Sequence, residues 1–289
     1  MIDRRRFLQT AAATAAAATA AAVTAGPAVA RTTSASAADA LVARIGEEAV
    51  DANPLLATNL GLDNGARAAL KSRLAPAGLE ARAAAIALND RWLAEIRAID
   101  ASTLTGQSAA SFDVVRFQAE ALDAAKGFGY GDFGFVDASA YPIQPYTISQ
   151  LTGAYQSVPD ILDTQHSIET ADDAEAYLSR LSALAEVIDQ QIEASRADAG
   201  KGVIPPDFIV PKALIQIAAL RGVPAAEAGL TTSVSRRAAE KGLAGDWAAR
   251  AETIVSREIY PALDRQIALF EGWKGRATSD AGIWAKPEG

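Results

Sequence analysis

Apolar residues recur at helical spacing along most of this chain, and that periodicity limits the folds it can adopt. Leu79, Ile86 and Leu93 follow one another at intervals of seven residues, and Ile96 comes three residues later, as on one face of an amphipathic helix. Hydrophobic residues make up 50% of the chain but aromatic residues only 6%. Alanine, which favours helix, supplies much of the difference. The sequence therefore predicts an all-α fold of stacked antiparallel helices.

Similar patterns predict the other helices. The expected ranges are 37–53, 78–100, 108–126, 170–200, 205–220, 224–242 and 246–273, with a short apolar segment at 55–65. Thr170 followed by Asp172 and Asp173 is typical of a helix N-terminus, where a threonine cap and acidic residues satisfy free N–H groups. Pro261 falls inside the last range. A proline there should kink that helix or split it in two.

The helical pattern breaks in the middle of the chain. Glycine alternates with aromatic and other residues from Gly127 to Phe135, and irregular sequence continues to about Ser157. A loop this long in a compact domain is usually functional or disordered, and its aromatic content argues against disorder. The glycines lack the preceding strand and the lysine of a phosphate-binding loop. The sequence therefore predicts one long Gly/aromatic-rich loop that acts as a flap.

Residues 1–30 resemble a twin-arginine signal peptide. Arg4 and Arg5 precede a weakly apolar stretch that ends in the small residues Ala28 and Ala30, as at a signal cleavage site. We expect the protein to be periplasmic, or otherwise extracytoplasmic, and exported by the twin-arginine route. Residues 31–289 would then form the helical domain.

The alternative for this leader is a permanent membrane anchor. Alanine and threonine give little transfer free energy, and Gly26-Pro27 interrupts the apolar run, so the stretch is a poor membrane span. Cleavage is the favoured interpretation. No stable membrane span is expected after cleavage.

Charge and residue usage exclude several kinds of chemistry. The net charge of −8 repels phosphate backbones, so we expect no nucleic-acid partner. The chain has no cysteine, which excludes disulfides, thiolate zinc sites and thiol nucleophiles. It has one histidine, His166, so a zinc site with two histidines cannot be built from this chain alone.

His166 has two interpretations. Asp163 and Glu169 flank it three residues to either side, as for a general base or a metal ligand supported by acids. The alternative is a hydrogen-bonded histidine that fixes the turn before the helix at Thr170. We favour the structural interpretation because a single imidazole carries no metal-site spacing.

Three segments carry a family resemblance. They are Tyr141–Tyr155, Asp173–Leu181 and Gly202–Phe208, and in this order, behind a twin-arginine leader, they are similar to the bacterial domain-of-unknown-function 885 (DUF885) proteins. That family resembles helical zinc metallopeptidases. Its members carry a His-Glu-x-x-His-like motif in a C-terminal half, which this chain does not contain. The resemblance implies that the chain is the N-terminal half of a larger helical peptidase-like architecture.

This resemblance implies a function and a set of site residues. The chain would be the non-catalytic portion of an exported zinc-metallopeptidase-like hydrolase, inactive alone, which helps to form a channel for a peptide or small-molecule substrate with the missing C-terminal half. Zinc is expected only with that half, and no cofactor in this chain. The alternative is a self-contained periplasmic helical binding or interaction module without catalysis. Candidate substrate-binding residues are Tyr141, Gln144, Tyr146, Gln150, Tyr155 and His166.

A half built to pack on a partner half should also expose apolar surface. We expect the contributors to be the aromatic loop, with Tyr141, Tyr146 and Tyr155, and the C-terminal residues Ile283 and Trp284.

Overall fold

The computed structural model describes residues 27–133 and 143–288, apart from the side chains of residues 27–34, Phe133 and Ile143. Helices dominate these ranges, which confirms the all-α prediction. The α-helices are α1 (Pro27–Ala52), α2 (Pro54–Asn59), α3 (Leu79–Arg97), α4 (Gly106–Ala125), α5 (Ala154–Thr164), α6 (Ala171–Gly200), α7 (Val210–Arg221), α8 (Gly229–Glu240), α9 (Trp247–Ile254) and α10 (Tyr260–Glu271).

Shorter elements connect these helices. The 3-10 helices are Gly65–Ser72, Ala101–Thr103, Lys126–Phe128 and Ile283–Ala285. Two strands of two residues each, β1 (Asp132–Phe133) and β2 (Ile143–Gln144), pair antiparallel and bring the two described ends of the central loop together.

The N-terminal layer consists of α1, α3 and α4, which pack on one another. Their apolar faces meet in one core because residues three and four apart lie on the same side of a helix. The buried residues of this core are Ala38, Leu41, Ile45, Ala49, Trp92, Leu93, Ile96, Leu104, Phe112 and Ala119.

The C-terminal layer consists of α5 to α10 around the long central helix α6, which contacts α5, α8, α9 and α10. These helices share a second and larger core. Its fully buried large residues include Tyr177, Leu181, Leu184, Ile188, Ile217, Val234, Val255, Ile259, Leu263 and Phe270.

The start of α6 has the predicted cap. Thr170 Oγ1 accepts a hydrogen bond from Asp173 N at 3.2 Å, and Asp173 Oδ2 accepts one from Thr170 N at 2.9 Å. This reciprocal pair is a capping box, which satisfies two N–H groups that an uncapped helix leaves free. The apolar residues at three- and four-residue spacing in this helix, Tyr177, Leu181, Leu184, Ile188 and Ile192, are buried.

The last predicted helix changes its winding before Pro261. A π-helical turn, Val255–Ile259, separates α9 from α10, and Pro261 lies in the first turn of α10. A proline in a regular helix interior removes an N–H and clashes with the preceding turn. In this helix, the disruption that was expected at Pro261 is a π-helical turn just before the proline.

Some boundaries differ from the sequence prediction. Helix α5 was not predicted, and it ends the irregular segment at residue 153 instead of about 157. Helix α7 begins at Val210 instead of Pro205, and α8 begins at Gly229 instead of Pro224. In the second case the Pro224 carbonyl accepts from Glu227 N and Ala228 N, so the proline opens a turn that precedes the helix.

The leader lies mostly outside the described residues. Arg4 and Arg5 are not described, whereas the backbone of Ala28 and Ala30 forms part of the first turn of α1. In the part of the chain that the structure describes, no helix combines the length and the apolar character that crossing a membrane requires.

Candidate functional site

A cleft of about 410 Å³ lies between the N-terminal and C-terminal layers. Helix α3 forms one wall, with Ala81, Ala85 and Ile86, and α5 and α6 form the opposite wall, with Val158 and Val187. Its volume falls within the range of about 300–1,000 Å³ that is typical of small-ligand pockets.

Small side chains create this space. Helix α3 presents Ala81, Ala84 and Ala85 to the cleft, and a methyl side chain is too short to reach the facing helix. Gly78, the N-cap of α3, lies close to α6, since a Cβ there would be 3.4 Å from Gln190 Cβ. The two layers therefore approach at the start of α3 and leave room farther along it.

Amide and hydroxyl groups interrupt the apolar lining. Asn89 Nδ2 donates to the Ala119 carbonyl at 3.0 Å, and Gln191 Oε1 accepts from Ala154 N at 2.8 Å. The remaining oxygen of Asn89 and the hydroxyl of Thr147 are buried and have no hydrogen-bond partner among the described residues. Buried polar atoms are normally paired. Others, such as Ser195 Oγ and the amide of Gln266, also lack a partner among the described residues, but these two belong to residues that line the cleft.

The basic groups at the cleft are already neutralised. Both terminal nitrogens of Arg82 contact the carboxylate of Asp198 at 2.9 Å, which also accepts from Gly131 N at 3.0 Å. Lys126 Nζ contacts Asp90 at 2.7 Å and Asp123 at 2.6 Å. The Arg82–Asp198 pair also links α3 to α6, so it joins the two layers at the edge of the cleft.

His166 lies away from the cleft and has no exposed surface. Its Nε2 is 2.9 Å from the Asp173 carbonyl and its Nδ1 is 3.1 Å from Arg180 Nη1. Arginine can only donate, so Nδ1 accepts and Nε2 donates. Burial, reinforced by the charges of Arg180, Lys71 and Arg237, lowers the pKa of His166 to about 4. The ring is neutral and serves as a packing and hydrogen-bonding group.

Arg180 is a structural side chain of this region that the sequence analysis did not single out. It is fully buried. Its Nε donates to the Arg73 carbonyl at 3.0 Å, and its Nη2 donates to Thr58 Oγ1 at 2.7 Å, the Leu70 carbonyl at 3.0 Å and the Pro54 carbonyl at 3.2 Å. Burial lowers its pKa to about 10. Arg180 therefore fastens α2 and the following 3-10 helix to α6.

A periodic signal could have found Arg180. It lies three residues after Tyr177 and four before Leu184, which places it on the buried face of α6. A charged residue on an apolar face indicates a buried polar contact, since lone buried charges are costly.

The other predicted site residues that the structure describes do not line the cleft. Tyr146 is half-buried, with Lys286 Nζ 5.8 Å from its ring centre, and Gln144 and Gln150 are partly exposed. Tyr155 is buried, and its hydroxyl lies 2.7 Å from the Ser149 carbonyl and 2.8 Å from Gln216 Oε1. Tyr141 falls outside the described residues.

Two other residues of the same segment, Thr147 and Ala154, line the cleft.

At the C-terminal end, Trp284 is 81% exposed and Ile283 is 44% exposed, whereas Tyr155, which was expected to contribute to an exposed apolar surface, is buried. Among the residues described, no group of three or more His, Cys, Asp or Glu side chains is placed to hold a metal ion.

Similarity to known proteins bears on the family and the fold. The family model described as "Bacterial protein of unknown function (DUF885)" matches residues 54–289. The structure of the "putative lipoprotein from Colwellia psychrerythraea" matches with a TM-score of 0.72 at 19% sequence identity. That match covers 89% of this chain and 44% of the other, so this chain spans less than half of the Colwellia protein. No curated protein matches the chain. At this identity the structural match shows the fold alone.

Proposed function

The chain belongs to the DUF885 family, and we propose that it is the N-terminal, non-catalytic portion of an exported zinc-metallopeptidase-like hydrolase. In this proposal it forms one wall of a peptide-substrate channel. The observation that carries the proposal is the structural match, in which nearly the whole chain corresponds to less than half of a longer protein. A fold that recurs as a part of a larger chain is suited to pack against the remainder.

The division of roles follows from the residues available. A catalytic zinc site takes three protein ligands as a rule, and the described residues offer no such group. The metal and the general base would therefore come from the C-terminal half, and this chain would contribute binding surface. The exposed Trp284 and Ile283 are suited to contact that half.

Export is part of the proposal. Arg4 and Arg5 ahead of an alanine-rich stretch support the twin-arginine route. The description of the Colwellia protein as a lipoprotein agrees with a place outside the cytoplasm.

A second candidate function is a self-contained binding module. The cleft favours it, since residues of this chain alone form both of its walls. The two candidates differ in whether the chain needs a partner half.

The deciding experiment uses the purified chain and the separately produced C-terminal half of a longer DUF885 protein. We expect the chain alone to hydrolyse no peptides, to associate with the half, and to raise its chelator-sensitive peptidase activity. Zinc-dependent hydrolysis by the chain alone would overturn the proposal. A chain that binds peptide but does not associate with the half would establish the module instead.

A further inference from the structure

We propose that the cleft between the two layers binds an uncharged peptide segment with aliphatic side chains. This inference rests on the proposed function in so far as it takes the occupant to be part of the peptide substrate. The residues on which the inference rests line the cleft from α3, α5, α6 and the segment around Thr147. The shape of the cleft, its charges and its hydrogen-bonding groups each support the inference.

The shape and lining select aliphatic groups. The bulk of the wall is hydrocarbon, and its larger members are Leu55, Leu74, Ile86, Leu88, Leu122 and one aromatic residue, Trp92. Burying apolar surface against such a wall is worth roughly 25 cal/mol per Å². The alanines of α3 keep the cleft open to branched side chains.

The charges select against ionised ligands. Arg82 and Lys126 are the basic residues at the lining, and each is paired with carboxylates of this chain. Asp132 is the acidic residue at the lining, and it has an interaction of its own. A charged side chain that entered would lose water without gaining a free counter-ion, which is costly. A neutral segment avoids that cost.

The polar groups favour a peptide over a plain hydrocarbon chain. Asn89 Oδ1 can accept from a peptide N–H, and the Thr147 hydroxyl can donate to a peptide carbonyl. Both atoms lack a partner among the described residues, and a bound backbone would supply one to each. Both atoms are buried in this structure, so binding would require the two side chains to rotate toward the cleft. An acyl chain could satisfy neither atom.

Isothermal titration calorimetry of the purified full chain tests this inference with four probes. Three are N-acetylated, C-amidated pentapeptides built from alanine, valine and leucine, one neutral, one with a central glutamate and one with a central lysine. The fourth is dodecanol. We expect the neutral peptide to bind at least about tenfold more tightly than either charged peptide, and more tightly than dodecanol.

Matched variants locate the site. Ala85→Phe fills the cleft and should weaken binding of the neutral peptide at least about tenfold. Ala87→Phe is the control, because Ala87 is exposed on the same helix and does not line the cleft. Thr147→Val keeps the side-chain shape and should weaken binding several-fold. If Ala85→Phe fails to fold, Ala81→Leu fills the same wall with a smaller change.

Equal binding of the charged peptides, tighter binding of dodecanol, or unchanged binding by folded Ala85→Phe would each overturn the inference. These outcomes are distinguishable from failure of the proposed function. A chain that binds the neutral peptide in the cleft but does not associate with a C-terminal half sinks only the hydrolase proposal. A chain that associates with the half but prefers charged peptides sinks only the cleft proposal.

Discussion

Within each helical layer, apolar residues hold the helices together. The contacts that join one layer to the other are, in contrast, largely polar. Each has its own apolar core, the smaller around Trp92 and Phe112 and the larger around α6. Between them lie a cleft and buried polar contacts, notably Arg82 with Asp198. Polar contacts depend on geometry, and apolar cores depend mainly on buried area. The junction can therefore keep an open cleft without opening either core.

The largest expected effect comes from cutting a polar contact beside this junction. Arg180→Met keeps much of the side-chain volume but removes the donors to the Pro54, Leu70 and Arg73 carbonyls. The Pro54 and Leu70 carbonyls keep Thr58 Oγ1 and Arg73 N as donors, so the loss comes from the charged hydrogen bonds themselves, which contribute about 1.5–3 kcal/mol each. We expect the free energy of unfolding to fall by at least about 4 kcal/mol, as measured by urea denaturation.

Arg236→Met is the control for Arg180→Met. Arg236 is 60% exposed and pairs with Glu240 one turn away on the same helix, and such pairs contribute less than about 0.5 kcal/mol. If the two variants lose similar stability, the polar contacts of Arg180 do not hold α2 to α6 as described here.

Acid should destabilise the fold less than Arg180→Met does, because it protonates a single side chain, His166, which is hydrogen-bonded to Arg180. His166 has a pKa of about 4 in the folded state, lowered from 6.5 mainly by burial. Between these pH values the unfolded chain binds a proton that the folded chain does not, so stability falls as the pH falls. The loss should total roughly 3 kcal/mol by pH 4 and stop growing below it. Urea denaturation at a series of pH values measures it.

His166→Gln separates this contribution from those of the carboxylates. Burial raises the pKa of Asp173, but bonds from Lys71 and from the backbone of Glu169 and Thr170 outweigh it and bring the pKa to about 2. Its contribution is therefore lost below the window of His166. The variant should have a flatter stability profile between pH 6.5 and 4. An unchanged slope would show that other groups govern the acid response.

The contrast between packing within a layer and the junction between the layers also explains which features the sequence could predict. The Thr170 cap and the spacing of Tyr177 and Leu181 are local, and both gave α6 correctly. Helix α5 was missed because Gly153 and Pro159 look like loop punctuation, although Tyr155, Val158 and Leu162 have helical spacing and are buried. Pro159 lies inside this helix, where a proline removes one backbone hydrogen bond, so the burial of the apolar face outweighs the breaker signal there.

The candidate site was less predictable than the helices. Its lining brings together Ala85, Thr147 and Gln191, which lie far apart in the sequence and on different elements. No local pattern encodes that meeting, since it depends on how the two layers pack. Tyr155, one of the aromatic residues of this segment, lies in the core, because burying a large ring is favourable.

The smallest effect on stability is expected from substitutions of exposed residues. Such substitutions test which part of the molecule contacts a partner. Trp284 is 81% exposed, and Phe117 in the N-terminal layer is 72% exposed. Because neither packs in a core, Trp284→Ser and Phe117→Ser should each change the free energy of unfolding by less than about 0.5 kcal/mol.

The effects of these two substitutions on association should differ. If the C-terminal end contacts the proposed C-terminal half, Trp284→Ser should weaken binding to that half in calorimetry, while Phe117→Ser leaves it unchanged. Weakening by Phe117→Ser alone would move the contact to the N-terminal layer.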